Sequence, residues 1–141
     1  QPLGEAFLEM MRQDQTPLSI SAPTSLAVMQ MKSRTSSSNT LRFSEALLVE
    51  HFMHCRDLYA PKTYDDVCDT LDLPRLDTAE IVRATEEHPI VAHTYQHASD
   101  LGVASYPTII VWDDDSKRVG TISSIYNPED FVSQFRQLIG T

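Results

Sequence analysis

Two cysteines and a scatter of histidines are the residues of this chain best equipped for chemistry. Cys55 follows His51 by four positions and His54 by one, and Cys68 lies further along. The thiolate is the reactive form of cysteine, and a helix N-terminus or a neighbouring cation lowers the pKa enough to produce it. Cys55 falls inside a helical pattern, away from any helix start, so it lacks that help. His51, one turn earlier, shares its helical face, while His54 points elsewhere. A structural zinc needs four ligands in a closed tetrahedron, and the chain has no CxxC and no zinc spacing. Cys55 and Cys68 therefore read as free core thiols, and His54 as a surface residue. His93 and His97 are also one turn apart, with His88 before them. They lack the glutamate of an HExxH site, so no metallohydrolase follows and no metal is expected. Asp113, Asp114 and Asp115 lack the further ligands and sharp-turn glycine of a calcium loop, and read as a solvated hairpin tip.

The elements that must position these residues come mostly from helical periodicity. Residues 3–13 read as a helix with Phe7, Leu8 and Met11 on one side. Pro17 and Pro23 keep the next stretch extended or turning, and "PLSIS" is a candidate short strand. A second helix, with Leu26, Val28 and Met29 inward, runs to Arg34. Ser38 or Asn39 is the expected cap of the longest helix, 40–57, which buries Phe43, Leu47, Leu48, Phe52 and Cys55. "KTYDDVCDTLDL" gives a short helix capped by Thr63, with Val67, Cys68 and Leu71 inward. Asp77 and Glu80 have capping-box spacing for a helix over "TAEIVRATEE". After His88-Pro89 a further helix runs to Gly102, a suitable C-terminal stop.

The texture then changes. "TIIVW", 108–112, is apolar and β-branched without helical period, "DDDSK" is a turn, and "RVGTISSI", 118–125, is a second strand, so the three read as a hairpin. Trp112, at the strand's end, is expected to pack. Asn127 caps a last helix with Pro128 at its first position and Phe131, Val132, Phe135, Leu138 and Ile139 on its apolar face. This order of elements has a physical problem. A lone two-stranded hairpin is marginal in water, and a strand apolar on both faces wants more sheet around it. Pro107, at the strand's entry, removes an amide donor where no ladder partner is needed.

Composition narrows the classes. The chain has 141 residues, 41% hydrophobic and 22% charged, with a formal net charge of −9. Such acidity argues against phosphate-backbone binding, so no nucleic-acid partner is expected. No apolar run approaches the roughly 18 residues of a membrane span, so no membrane partner is expected either. Two cysteines read as free thiols favour a reducing, cytoplasmic setting. The sequence opens at Gln1 without a methionine or a visible secretory signal, and the expectation is a processed chain or a piece of a longer one.

"LGVASYPTIIVWDDDSKRVGTI" resembles the thioredoxin fold: a helix ending in Leu-Gly-Val, a short loop, X-Pro-Thr, a buried strand and its hairpin partner. The helical stretch before it resembles the helical insertion of the DsbA family. "SAPTSLAVMQMK", "FSEALLVEHFMHCRDLYAPKTYDDVCDTLDL" and "HPIVAHTYQHASDLGVASYPTIIV" look like the cytoplasmic DsbA-like group related to polyketide-associated dithiol–disulfide isomerases. The implied fold is α/β and thioredoxin-like with a helical insertion. Residues 1–102 would be mostly helical and contain the insertion. Residues 103–141 would form the strand–strand–helix unit, the whole making one structural domain.

The resemblance implies thiol–disulfide exchange on a peptide or thiol substrate, with no cofactor. It makes the Tyr106–Pro107 bond a cis peptide and makes Ser105, Tyr106 and Pro107 the substrate-binding loop. The family's Cys-X-X-Cys belongs to a strand–redox helix–strand unit upstream of every residue quoted, and no residue of this sequence matches it. No catalytic residue is therefore assigned in this chain. Two other readings stand beside it: a thioredoxin-like module without redox thiols that binds extended peptides by β-augmentation, and a glutathione-linked isomerase relative whose site uses an upstream serine. Members of the family often pair, which implies a homodimer as one assembly.

Overall fold

The computed structural model describes residues 4–13, 21–105, 107–123 and 127–140. In chain order the elements are α1 (Glu5–Arg12), α2 (Ser21–Arg34), α3 (Ser37–Phe52), α4 (Pro61–Leu71), α5 (Thr78–Ile81), α6 (Pro89–Asp100), β1 (Thr108–Trp112), β2 (Arg118–Ser123) and α7 (Pro128–Ile139). The architecture is mixed α/β and mostly helical, with one two-stranded antiparallel sheet among the described residues. The chain divides into two compact units, Gln1–Thr94 and Tyr95–Thr141, and the division falls inside α6. Among the described residues no helix is long and apolar enough to cross a membrane. Of the "PLSIS" strand expected from sequence, residues 17–20 lie outside the described residues, and Ser21 opens α2.

The first unit is built on a helical core. α2 brings Leu26, Ala27 and Met31, α3 brings Phe43 and Leu47, α4 brings Tyr64, Val67 and Cys68, and α5 brings Ile81, all buried. Tyr64 satisfies its buried hydroxyl by donating to the Leu58 carbonyl at 2.7 Å, as a buried polar group must.

Several ends differ from the sequence expectation, each for a local reason. The cap of α3 is Ser36, whose hydroxyl accepts from the Asn39 amide at 3.3 Å, not Ser38 or Asn39. The helix also stops at Phe52, although the apolar period runs on to Cys55. Cys55 takes the left-handed region, φ 55°, which ends helical continuation for an L-residue. The Phe52 carbonyl is engaged by the Gly4 amide at 3.0 Å. A Cβ on Gly4 would strike the Met53 backbone, so only glycine lets α1 start this close to the end of α3. Phe7 then lays its ring edge-on against His51 and Phe52, at 5.6 and 5.2 Å. Leu48 and Phe52, both expected inside, are exposed.

Thr63 does not cap α4. Ala60 holds that position, and the Thr63 hydroxyl donates to the Asp57 carbonyl at 2.7 Å. Asp77 does cap α5, accepting from the Glu80 amide at 3.0 Å, yet α5 ends after one turn, at Ile81.

On the outside of α4, Asp66 receives Lys62 at 2.6 Å and Arg56 at 2.8 Å. The Lys62 hydrogen bonds first, then that of Arg56, hold its carboxyl below the ordinary value of 3.8. A carboxylate depressed in the folded state contributes stability that is full above the unfolded value and lost as pH falls through the folded one. Acid titration of unfolding is expected to show this small contribution disappearing below about pH 4, the ordinary carboxylate range. An Asp66→Asn variant is expected to lack it. Equal acid sensitivity in both proteins would contradict the assignment.

In the second unit β1 and β2 pair antiparallel from Thr108↔Ser123 to Val111↔Gly120. The register then shifts, so that Trp112 meets Arg118. At the tip Asp113 turns its carboxylate inward, accepting from the Asp115 and Lys117 amides at 3.1 and 2.7 Å. Ser116 takes the left-handed position. α7 begins as the sequence implies, with Asn127 accepting from the Asp130 amide at 2.8 Å and Pro128 in the first turn. It lies close over β2, because a side chain on Gly120 would collide with Leu138. The expectation for Trp112 is corrected: it is 48% exposed. Ile109, Val119, Val132 and Ile139 are exposed as well, and Ile122 is the single buried side chain among the described residues of this unit.

Candidate functional site

The loop Ser105–Pro107 is held at both ends by the second unit. α6 ends at Asp100, and Gly102 in the following turn takes φ 77°. The amides of Gly102 and Val103 fold back onto the Ser99 and Ala98 carbonyls at 2.8 and 3.0 Å, a left-handed C-terminal cap. Arg118, on β2, donates to the Leu101 carbonyl at 2.9 Å and also bonds the Thr121 hydroxyl. A cation on the last carbonyls of a helix completes their hydrogen bonding and suits its dipole. At the far end the Thr108 hydroxyl donates to the Ser105 carbonyl at 2.6 Å and lies 3.2 Å from the Ser123 hydroxyl.

Ser105 and Pro107 are both exposed on this frame. Tyr106, and with it the peptide bond expected to be cis, lies outside the described residues. The loop "ASYPT" carries no carboxylate, imidazole or thiol. Its polar groups are hydroxyls and backbone amides and carbonyls, which can hydrogen-bond a ligand. Arg118 is the positioning residue that sequence reasoning missed. A cation in a strand 17 residues beyond Leu101, at a helix end, gives no local signal of what it will reach.

The thiols and histidines stand apart from this loop in sequence and in role. Cys55 and Cys68 are both free. Cys55 is half-buried in its left-handed position, with its sulfur against the Met10 thioether, 2.6 Å away. It is therefore not the helix-interior residue expected from sequence. His51 is buried, its Nδ1 3.3 Å from the Arg56 carbonyl. Cys68 is buried in α4, and desolvation pushes its thiol pKa up, against a smaller lowering by Arg75. No group of three His, Cys, Asp or Glu side chains among the described residues is placed to hold a metal ion.

A raised pKa leaves less thiolate, and thiolate is what reacts. Cys68 is thus expected to resist iodoacetamide at pH 7.5 in the folded protein and to react fully in denaturant. Peptide mass mapping reads this directly, and rapid labelling of native Cys68 would contradict the burial argument.

No protein-family model matches this chain, and no curated protein matches it.

Proposed function

We propose that this chain is the helical and proline-loop part of a thioredoxin-like, DsbA-type thiol–disulfide oxidoreductase of the cytoplasm. In that reading Ser105, Tyr106 and Pro107 hold the extended backbone of a peptide or thiol substrate. The exchange itself uses two thiols of the family's Cys-X-X-Cys, which no residue here supplies. One thiolate attacks a sulfur of the substrate disulfide, forming a mixed disulfide and releasing the other substrate sulfur as a thiolate. The second protein thiolate then displaces the first substrate sulfur, so the substrate leaves as a dithiol and the protein as a disulfide.

The observation that carries the proposal is the second unit. An X-Pro-Thr entry leads into β1, whose hairpin partner supports α7 through Gly120, and the whole has one buried side chain, Ile122, among its described residues. The Tyr95 hydroxyl is buried there and has no hydrogen-bond partner among them. Such a unit gains most of its core from further polypeptide, as a thioredoxin-like sheet would provide.

The test uses the natural protein isolated from its source. Expected are thiols beyond Cys55 and Cys68 that alkylate below pH 7, together with reduction of insulin disulfides that survives replacement of Cys55 and Cys68 by alanine. Absence of both the extra thiols and the reductase activity would overturn the proposal.

One observation favours a second reading, the peptide-binding module. β1 pairs only with β2 among the described residues, and its five residues carry no charge and no proline. Uncharged, unblocked strand edges are the ones that accept an added strand. Binding of an extended peptide without any disulfide reduction would select this reading.

A further inference from the structure

His88 stands at the start of α6 beside Glu80 of α5, and both of its ring nitrogens are engaged. Its backbone carbonyl accepts from the Ala92 amide at 2.9 Å, so it sits at the start of α6. Its Nδ1 is 3.3 Å from the Ile90 amide, which donates to it. Its Nε2 is 3.3 Å from Oε1 of Glu80, on α5. The other carboxylate oxygen of Glu80 accepts from the Gln30 amide of α2 at 2.6 Å, and Gln30 in turn accepts from the Asp77 amide at 2.9 Å. An amide N–H can only donate, so Nδ1 must be the bare nitrogen and Nε2 must carry the proton that points at Glu80. This arrangement is made by neutral imidazole alone.

We propose that His88 is a proton-operated cap of α6: neutral, it closes the first turn, and a proton added at Nδ1 opens it. The added proton turns the acceptor into a donor facing another donor, and it places a full positive charge at the positive end of a helix. Two losses stand against one gain, a stronger attraction to Glu80. Glu80 is the charged group facing the ring. Gln30, behind it on α2, is uncharged, and the Asp77 carboxylate is engaged by the Glu80 amide. Pairs as open to solvent as this one, whose side chains are 20% and 44% exposed, gain little from full charge. The cap and the dipole therefore decide the sign. Histidine is the side chain whose unperturbed protonation change falls in the physiological range.

Amide hydrogen exchange on the full chain tests this, at pH 7.5 and 5.5 with rates corrected for intrinsic chemistry. The expected result is a loss of protection at the Ile90 amide of about fivefold on acidification, the factor that goes with one cap hydrogen bond, while amides inside α3 hold. Asparagine caps without titrating, so in His88→Asn the protection is expected to be independent of pH. Unchanged protection in the native chain, or an equal loss in His88→Asn, would overturn the proposal. Nitrogen-15 spectra of the native imidazole give a second reading that needs no variant. At pH 7.5 Nδ1 must be the unprotonated nitrogen, and a proton found there would equally overturn it.

Discussion

Phe43→Ala is expected to destabilise the first unit strongly. The ring is fully buried on α3, the helix that packs against both α2 and α4. Truncating a buried phenylalanine costs about 3–5 kcal/mol, the transfer free energy of the lost atoms plus the cavity they leave. Domains of this size hold about 5–15 kcal/mol in all, and each kcal/mol moves the midpoint by roughly 4–8 °C. A fall of more than about 12 °C in the helical circular-dichroism transition is the expected reading. Phe43→Leu refills most of the volume and is expected to lose about 1.5 kcal/mol or less. If both variants melt together with the parent, Phe43 is not the keystone that its burial indicates.

Ile122→Ala has a smaller local cost, about 2–5 kcal/mol, but a larger structural result. Ile122 is the one buried side chain among the described residues of Tyr95–Thr141. A unit this small buries too little surface to absorb such a loss. The expected outcome is selective: β1, β2 and α7 lose their exchange protection while α2, α3 and α4 keep theirs. The chain has a single tryptophan, Trp112, and it lies on β1. Its fluorescence therefore follows this unit, while far-ultraviolet dichroism follows mainly the helices. Separation of the two transitions in Ile122→Ala is the result sought. Coincident transitions would mean that the two units unfold as one.

The sequence was legible where a local rule decides the outcome. Asn127 followed by Pro128 marks the start of α7, Gly102 the end of α6, and "TIIVW" the strand β1, and each falls where its own neighbours put it. Reading failed where a distant partner decides. The period through Cys55 gives no hint that Gly4 takes the Phe52 carbonyl and that the backbone turns left-handed at Cys55, three residues later. The helix expected over "TAEIVRATEE" ends early at Ile81, and nothing local shows that Glu80 will be shared by Gln30 and His88. Leu48 and Trp112 keep the pattern of core residues and are exposed, because a hydrophobic period identifies a face without saying what meets it. For the candidate site the sequence pattern points to Ser105, Tyr106 and Pro107 as an expectation, and gives no sign of Arg118, whose bond to the Leu101 carbonyl depends on β2 lying beside the end of α6.

The thin core of the second unit makes its stability a measure of occupancy. Whatever covers Ile109, Trp112 and Val119 in the folded state, and leaves the unfolded chain alone, adds its binding free energy to that of folding. At a hundredfold excess over its Kd the gain is about 2.7 kcal/mol, large beside what so small a unit holds by itself. A thermal-shift titration followed at Trp112 would then rank candidate peptides, thiols or a further copy of the chain by affinity, with no enzymatic assay required. The helical unit would serve as the internal reference that does not move.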